Sequence, residues 1–296
     1  MTFYEQIDQN KRNTLLIISI FFVLIGAVAC VFGQASDAGF AYIIPAFVFS
    51  LFSSFGSYFF GDKIILALSG ARPADKNRDF NFFTVTENLA LGSGMPMPKL
   101  YVIPDSAPNA FATGRDPNHA IICTTTGLLG KLDRTELEAV VAHELSHIRN
   151  YDIRLMMIVS VLVGMVVLLA DLFNRRMFWG GRRSSKSRDR SGIFVILGLI
   201  LAIFAPIFAK LIQLALSRQR EYLADASAVS LTKQPNGLIS ALEKISADPE
   251  PLEAANRATA HLYIVNPFKG NLSRAVSTAF STHPPIADRI SRLKEL

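Results

Sequence analysis

The sequence predicts a mainly helical α+β membrane protein. Two helical hairpins, about four transmembrane helices in all, surround a soluble part with a small β-sheet and a metal-binding helix. Three observations predict this. Half of the 296 residues are hydrophobic and only 18% are charged, which is apolar for a soluble chain. Long charge-free runs open the chain and return in its second half. Between them lies AVVAHELSHIRN, Ala139 to Asn150, with His143 and His147 four residues apart.

No residue from Thr14 to Ser36, or from Ala38 to Gly61, is charged. A membrane-spanning helix needs about 20 apolar residues, and a long core helix would carry a polar stripe that these runs lack. The connector Gln34–Gly39 has no Lys or Arg, whereas Lys11 and Arg12 precede the first run and Lys63, Arg72, Lys76 and Arg78 follow the second. The positive-inside rule therefore puts both ends of this hairpin, and the long segment 62–152, in the cytoplasm. The net charge of +6 is read as membrane-flank charge, which argues against nucleic-acid binding. The first run is too long for a signal core, so no cleavable signal peptide is expected. Cys30 and Cys123 are not expected to meet, which fits a reducing compartment.

The third run, Leu155 to Ala170, is bounded by Arg154 and Asp171; the fourth, Ser191 to Ala209, contains Pro206 and ends at Lys210. Between them Asn174–Gly192 carries seven Lys or Arg. If both runs cross, this loop lies outside, against the charge rule. Either the hairpin inserts without fully crossing, or it crosses with a basic cap, or the whole orientation is reversed. The loop also suits anionic headgroups. The expected organisation is a membrane hairpin at 1–61, a first catalytic part at 62–152, a second hairpin at 153–213 and a second catalytic part at 214–296.

Within the soluble parts, Lys99–Ile103 and His119–Thr124 read as short strands, β-branched and bounded by turn residues. Residues 133–150 read as a helix that Asp133 caps, with Glu136 completing a capping box. Helices are also expected at about 211–230, about 236–247 after Pro235, and 285–295 after His283-Pro-Pro.

On a helix, positions i and i+4 share a face, so His143 and His147 can bind one metal ion, with Glu144 placed to reach a water there. A catalytic site needs a third protein ligand. His119, His261 and His283 are candidates, and so are helix carboxylates. Glu221 and Asp225, i and i+4 in SRQREYLADAS, could form a ligand and a second carboxylate that holds a histidine N–H. If the third and fourth runs form a hairpin, it returns Glu221 to the side of the membrane where His147 lies.

HELSH, a membrane hairpin and then SRQREYLADA, together with NAFATG at Asn109–Gly114 and THPP with Arg289, resemble the HtpX family of membrane-bound zinc endopeptidases. More distantly they are similar to the CAAX prenyl protease. The resemblance implies a zincin-like catalytic domain with one Zn2+ per chain. It implies His143, His147 and Glu221 as ligands, Glu144 as catalytic base and Asp225 behind a ligand. It implies polypeptide substrates, misfolded membrane proteins under stress, met at a bacterial plasma membrane with the site facing the cytoplasm. The chemistry further requires a donor to the tetrahedral oxyanion. His283 and Arg289 are candidates, although Arg289 could instead pair with a carboxylate. Asn109, Ala110 and Phe111 suit an exposed strand edge to which an extended substrate adds as a strand. Two other readings compete: a processing protease for specified C-termini, and a non-enzymatic scaffold with structural zinc.

Overall fold

The structure is a computed structural model that describes residues 3–35, 41–165, 218–255, 259–267 and 284–296. Two long helices lead, α1 (Phe3–Ala35) and α2 (Ile43–Leu68). The soluble part then runs β1 (Arg72–Pro73), α3 (Phe80–Ser93), β2 (Lys99–Ile103), β3 (Ala110–Gly114), β4 (Ala120–Thr125), α4 (Thr126–Lys131) and α5 (Arg134–Arg149). Residues 152–165 form a further helix, α6. After it come α7 (Arg218–Thr232), α8 (Pro235–Ala247) and α9 (Ile286–Leu293).

The four strands form one mixed sheet in the order β1-β2-β4-β3, with β2 parallel to β4 and the outer pairings antiparallel. Alternation along the strands separates two cores, because successive side chains point to opposite faces. Leu100, Val102, Ala110, Ala112 and Ile122 face α3, α5 and α8. Ile103, Phe111, Ile121 and Cys123 face Ile17, Phe21 and Leu24 of α1, Ile65 of α2 and residues 155–163 of α6. Both faces being covered, β4 is buried along its whole length.

The second core takes in the beginning of the third apolar run. Its described beginning packs against the sheet as a core helix, with Leu155, Met157, Ile158 and Val159 buried. The rest of that run, the fourth run and the 174–192 loop lie outside the described residues. Among the described residues two helices are long and apolar enough to cross a membrane, over Ile7–Ala27 and Ile43–Leu68. The second continues past the charge-free run because Ile65 and Leu66, beyond Asp62 and Lys63, find burial in the core.

The polarity of α2 is reversed relative to a soluble helix. Phe47, Phe52, Phe55 and Phe60 are exposed, while Ser50, Ser53, Ser54, Ser57 and Gly61 are buried. An aromatic outer face and a small-residue inner stripe suit contact with lipid on one side and close helix packing on the other. The end of the stripe lies on α6: Ser57 Oγ is 3.5 Å from the Ile158 carbonyl, and a Cβ on Gly61 would stand 2.9 Å from Met157 Cγ. A Cβ on Gly56 meets nothing within 4 Å. Gly61→Val is therefore expected to lower the thermal unfolding midpoint in detergent by overpacking worth about 1–3 kcal/mol. Gly56→Val is expected to leave it near that of the wild type. Equal shifts would show that α2 does not seat on α6 through this stripe.

Candidate metal centre

α5 begins as its sequence predicts. Asp133 accepts from the Glu136 amide at 2.9 Å, and Glu136 returns the bond to the Asp133 amide at 2.9 Å, a complete capping box. This fixes where the helix starts. Its third and fourth turns then carry His143, Glu144 and His147 into the space between the sheet and α7, where all three are buried. Glu221 and Asp225, one turn apart on α7, are buried against them. α5 and α7 form the most extensive helix pairing in the described fold.

The side chains of His143, His147 and Glu221 offer ligand atoms that all lie within 4.8 Å of one another. The Nε2 atoms of the two rings are 3.2 Å apart. Glu221 Oε1 is 3.6 Å from His147 Nε2 and Glu221 Oε2 is 3.8 Å from His143 Nε2. Four donors at 2.0–2.1 Å from a tetrahedral ion are spaced by roughly 3.3 Å, so these separations fit a common ion with little adjustment. The donor set, two imidazoles and a carboxylate, is one that zinc takes.

The far nitrogen of each ring meets a buried carboxylate. His143 Nδ1 is 2.9 Å from Asp225 Oδ1, and His147 Nδ1 is 3.0 Å from Asp152 Oδ2. A carboxylate taking the Nδ1 proton leaves Nε2 to face an ion. Asp225 is held in turn by Arg289, fully buried, through Nε–Oδ2 at 2.8 Å and Nη2–Oδ1 at 2.6 Å. Of the two expectations for Arg289, an oxyanion donor or a carboxylate partner, the geometry realises the second. Its Nη1 also donates to the Ile264 carbonyl at 3.1 Å and lies 3.7 Å from Glu221 Oε2.

The electrostatics follow from burial and neighbours. Burial pushes the Glu144 carboxyl up to about 7, and the nearby His147 and the Ala112 amide oppose it. Burial lowers the His143 ring. At His147 burial acts the same way but is outweighed, first by the Asp152 hydrogen bond and then by the charges of Glu221 and Asp152, which lift it to about 9. Burial would raise Asp225, but the Arg289 guanidinium holds it below its ordinary value.

The other sequence candidates fall elsewhere. His119 is exposed and pairs with Asp116 at 2.8 Å. His261 is buried beside Ser160 Oγ at 3.0 Å. His283 lies outside the described residues. β3 is an edge strand, but the start of its edge is occupied from within the chain. Asn109 Nδ2 donates to the Val265 carbonyl at 2.9 Å, and the Ile264 amide donates to Ala110 O at 2.9 Å. Phe111 is turned into the second core against Tyr263. The Ala112 backbone lies beside Glu144 and lowers its carboxyl. The start of the β3 edge, at Asn109 and Ala110, is thus taken from within the chain, and Ala112 is a β3 residue beside Glu144.

Sequence reasoning missed Asp152. Its only signal was a carboxylate five residues after His147, just past the end of α5. α5 ends at Arg149, and two residues on Tyr151 takes a left-handed φ of 61°. The chain turns at that residue and Asp152 comes back to the ring.

The pattern for peptidase family M48 matches residues 77–296. A protease HtpX homolog of Dictyoglomus thermophilum is 47% identical over 293 residues, covering 99% of this chain and 94% of that protein. Another, from Caldanaerobacter subterraneus subsp. tengcongensis, is 46% identical over 298 residues, covering 100% and 98%. The crystal structure of S. mikatae Ste24p shares the fold, with a TM-score of 0.51 at 21% identity over 98% of this chain and 67% of that one.

Arg289→Met leaves the Asp225 carboxylate buried without its partner and is expected to cost about 3–5 kcal/mol of stability. Replacing both partners, Arg289→Met with Asp225→Leu, is expected to recover much of that loss in thermal unfolding without restoring metal affinity, since His143 still lacks its carboxylate. A double variant no more stable than the single one would count against a buried ion pair.

Proposed function

The chain belongs to peptidase family M48 and is a metalloprotease; on that premise we propose a membrane-bound zinc endopeptidase in which His143, His147 and Glu221 hold one zinc ion and Glu144 is the general base. One observation carries this reading. The donor atoms of His143, His147 and Glu221 converge within 4.8 Å, and beside them Glu144, also buried, is left over. A structural zinc site is usually closed by four protein ligands and has no use for such a carboxylate, whereas a catalytic site keeps three ligands and an open position.

When bound, zinc polarises a water and the scissile carbonyl. Glu144 takes the proton of the attacking water and passes it to the leaving amine. Its raised carboxyl suits a proton exchange near neutral pH, and a cation alongside would draw it back toward the ordinary range. The Ala112 amide orients it. Asp225 and Asp152 hold the two rings, and Arg289 acts through Asp225 as a positioning residue. His283 is our candidate donor to the oxyanion.

An extended substrate adds to the β3 edge beyond Ala110, with Asn109, Ala110 and Phe111 as the anchored root of that edge. In an antiparallel strand alternate residues point their backbone groups the same way. Ala110 and Ala112 therefore share an outward edge, and Gly114 is next along it. Backbone bonding gives affinity with little sequence preference. That supports unfolded or misassembled membrane proteins as substrates, in quality control under stress. The basic residues Lys11, Arg12, Lys63, Arg72, Lys76 and Arg78 support a cytoplasmic site in a bacterial plasma membrane. We read 62–152 and 214–296 as one catalytic unit interrupted by 153–213.

Wild type and Glu144→Gln, purified in detergent with chelator and then supplied with zinc, are expected to bind about one zinc each. Cleavage of unfolded casein is expected to fall by about 10²–10⁴-fold in the variant. If the variant cleaves as fast as the wild type, Glu144 is not the base. If both bind zinc and neither cleaves, the site is structural or the substrate class is narrow.

A further inference from the structure

The residues that match peptidase family M48 begin at 77, so α1 lies before them. Yet α1 reaches the metal centre. Asn10, in its third turn, is buried at 3% exposure although it sits among the polar residues that precede the apolar run. Its Nδ2 donates to Asp152 Oδ1 at 2.7 Å and to the Asn150 carbonyl at 2.9 Å. Both N–H bonds of the carboxamide are thus directed at the turn that follows α5. The other oxygen of Asp152 is the one at 3.0 Å from His147 Nδ1. Arg220 of α7 is further off, with Nη1 at 3.6 Å from Oδ1.

The neighbouring contacts converge on the same turn. Tyr151, in the left-handed conformation with φ 61°, is a costly place for a side chain with a Cβ. Its ring lies between Lys11 Nζ at 5.2 Å and the Arg154 guanidinium at 4.8 Å. Residues 10 and 11 therefore hold 150–152 by hydrogen bonds and by cation–π contact. A free carboxylate can rotate and offer either oxygen in many directions. With Oδ1 pinned by a carboxamide, Oδ2 is left pointing at one place, the His147 ring nitrogen.

We propose that Asn10 is a positioning residue of the metal site: it orients Asp152, which orients His147, so that the N-terminal helix is part of the metal centre as well as a membrane anchor. The proposal rests on His147 being a metal ligand. It assigns Asn10 a role in metal affinity rather than in membrane insertion. It also explains why a carboxamide suits this position: a carboxylate would repel Asp152 and an aliphatic side chain would leave the Asn150 carbonyl and Asp152 without these donors.

The test is zinc affinity, measured on the full-length protein in detergent by competition with a chromophoric chelator. Cobalt-substituted protein supplies an absorption spectrum that reports ligand geometry. Asn10→Leu is expected to weaken zinc binding by about tenfold, the lower end of the loss seen when groups that orient metal ligands are removed, and to alter the cobalt spectrum. Asn10→Ser retains one donor and is expected to fall between. Leu16→Ala, on the exposed face of α1, is expected to bind as the wild type does. In an Asp152→Ala background, Asn10→Leu should have no further effect, because its action passes through Asp152. Unchanged affinity in Asn10→Leu overturns the proposal, and so does a loss that simply adds to that of Asp152→Ala. If instead His147→Ala binds zinc as tightly as the wild type, it is the ligand assignment that fails.

Discussion

Taking two imidazoles and several carboxylates out of water at one place is the constraint on which the rest of this structure depends. Charged groups are not held in a protein interior without partners, since the desolvation cost of each reaches several kcal/mol. Around His143, His147, Glu144 and Glu221 several described neighbours answer to that cost. Asp225 meets His143, and Arg289 meets Asp225 through two hydrogen bonds. Asp152 meets His147, and Asn10 meets Asp152. The partners come from α1, the 150–152 turn, α7 and α9, so the metal centre ties together distant parts of the chain.

That requirement also orders the packing. α5 must pass between the sheet and α7 for its buried face to reach Glu221, and the β3 edge must come close enough for the Ala112 backbone to act on Glu144. Arg289 is fully buried where Asp225 takes two of its N–H donors and the Ile264 carbonyl a third. The segment carrying Ile264 also closes the start of the β3 edge through Ala110 and Asn109. One short stretch thus caps the edge at one end and buttresses the guanidinium at the other.

The membrane-facing half follows a different solvent logic. With phenylalanines outside and serines inside, α2 would be unstable in water, yet that arrangement is favourable where lipid surrounds the outer face. The small inner stripe lets α6 approach, and α6 in turn covers the second face of the sheet. The candidate membrane helix α2 thus supports the sheet through α6, and α1 adds its polar end to the 150–152 turn. The two long N-terminal helices and the sheet share one core instead of being joined by a linker.

What the sequence determined by itself is whatever rests on local spacing. Histidines four apart share a helix face, Asp133 and Glu136 make a capping box, and β-branched runs bounded by turn residues make strands, because each of these depends on neighbours a few residues away. The long charge-free runs marked the first two helices for the same reason. Only the tertiary structure decided the rest. Asp152 and Asn10 are separated by 142 residues, and nothing in the local pattern of either says that they meet. Arg289 could have faced a substrate until the fold brought Asp225 against it. The third apolar run could be read from sequence only as apolar, because burial in a protein core and burial in lipid select the same side chains; that its described part packs against the sheet and α2 only the fold decided. The edge of β3 was correctly read as an edge, but which of its backbone groups were already taken depended on a segment more than 150 residues away. Hydrophobic periodicity is written along the chain, whereas the pairing of buried charges is set only once distant elements have closed around them.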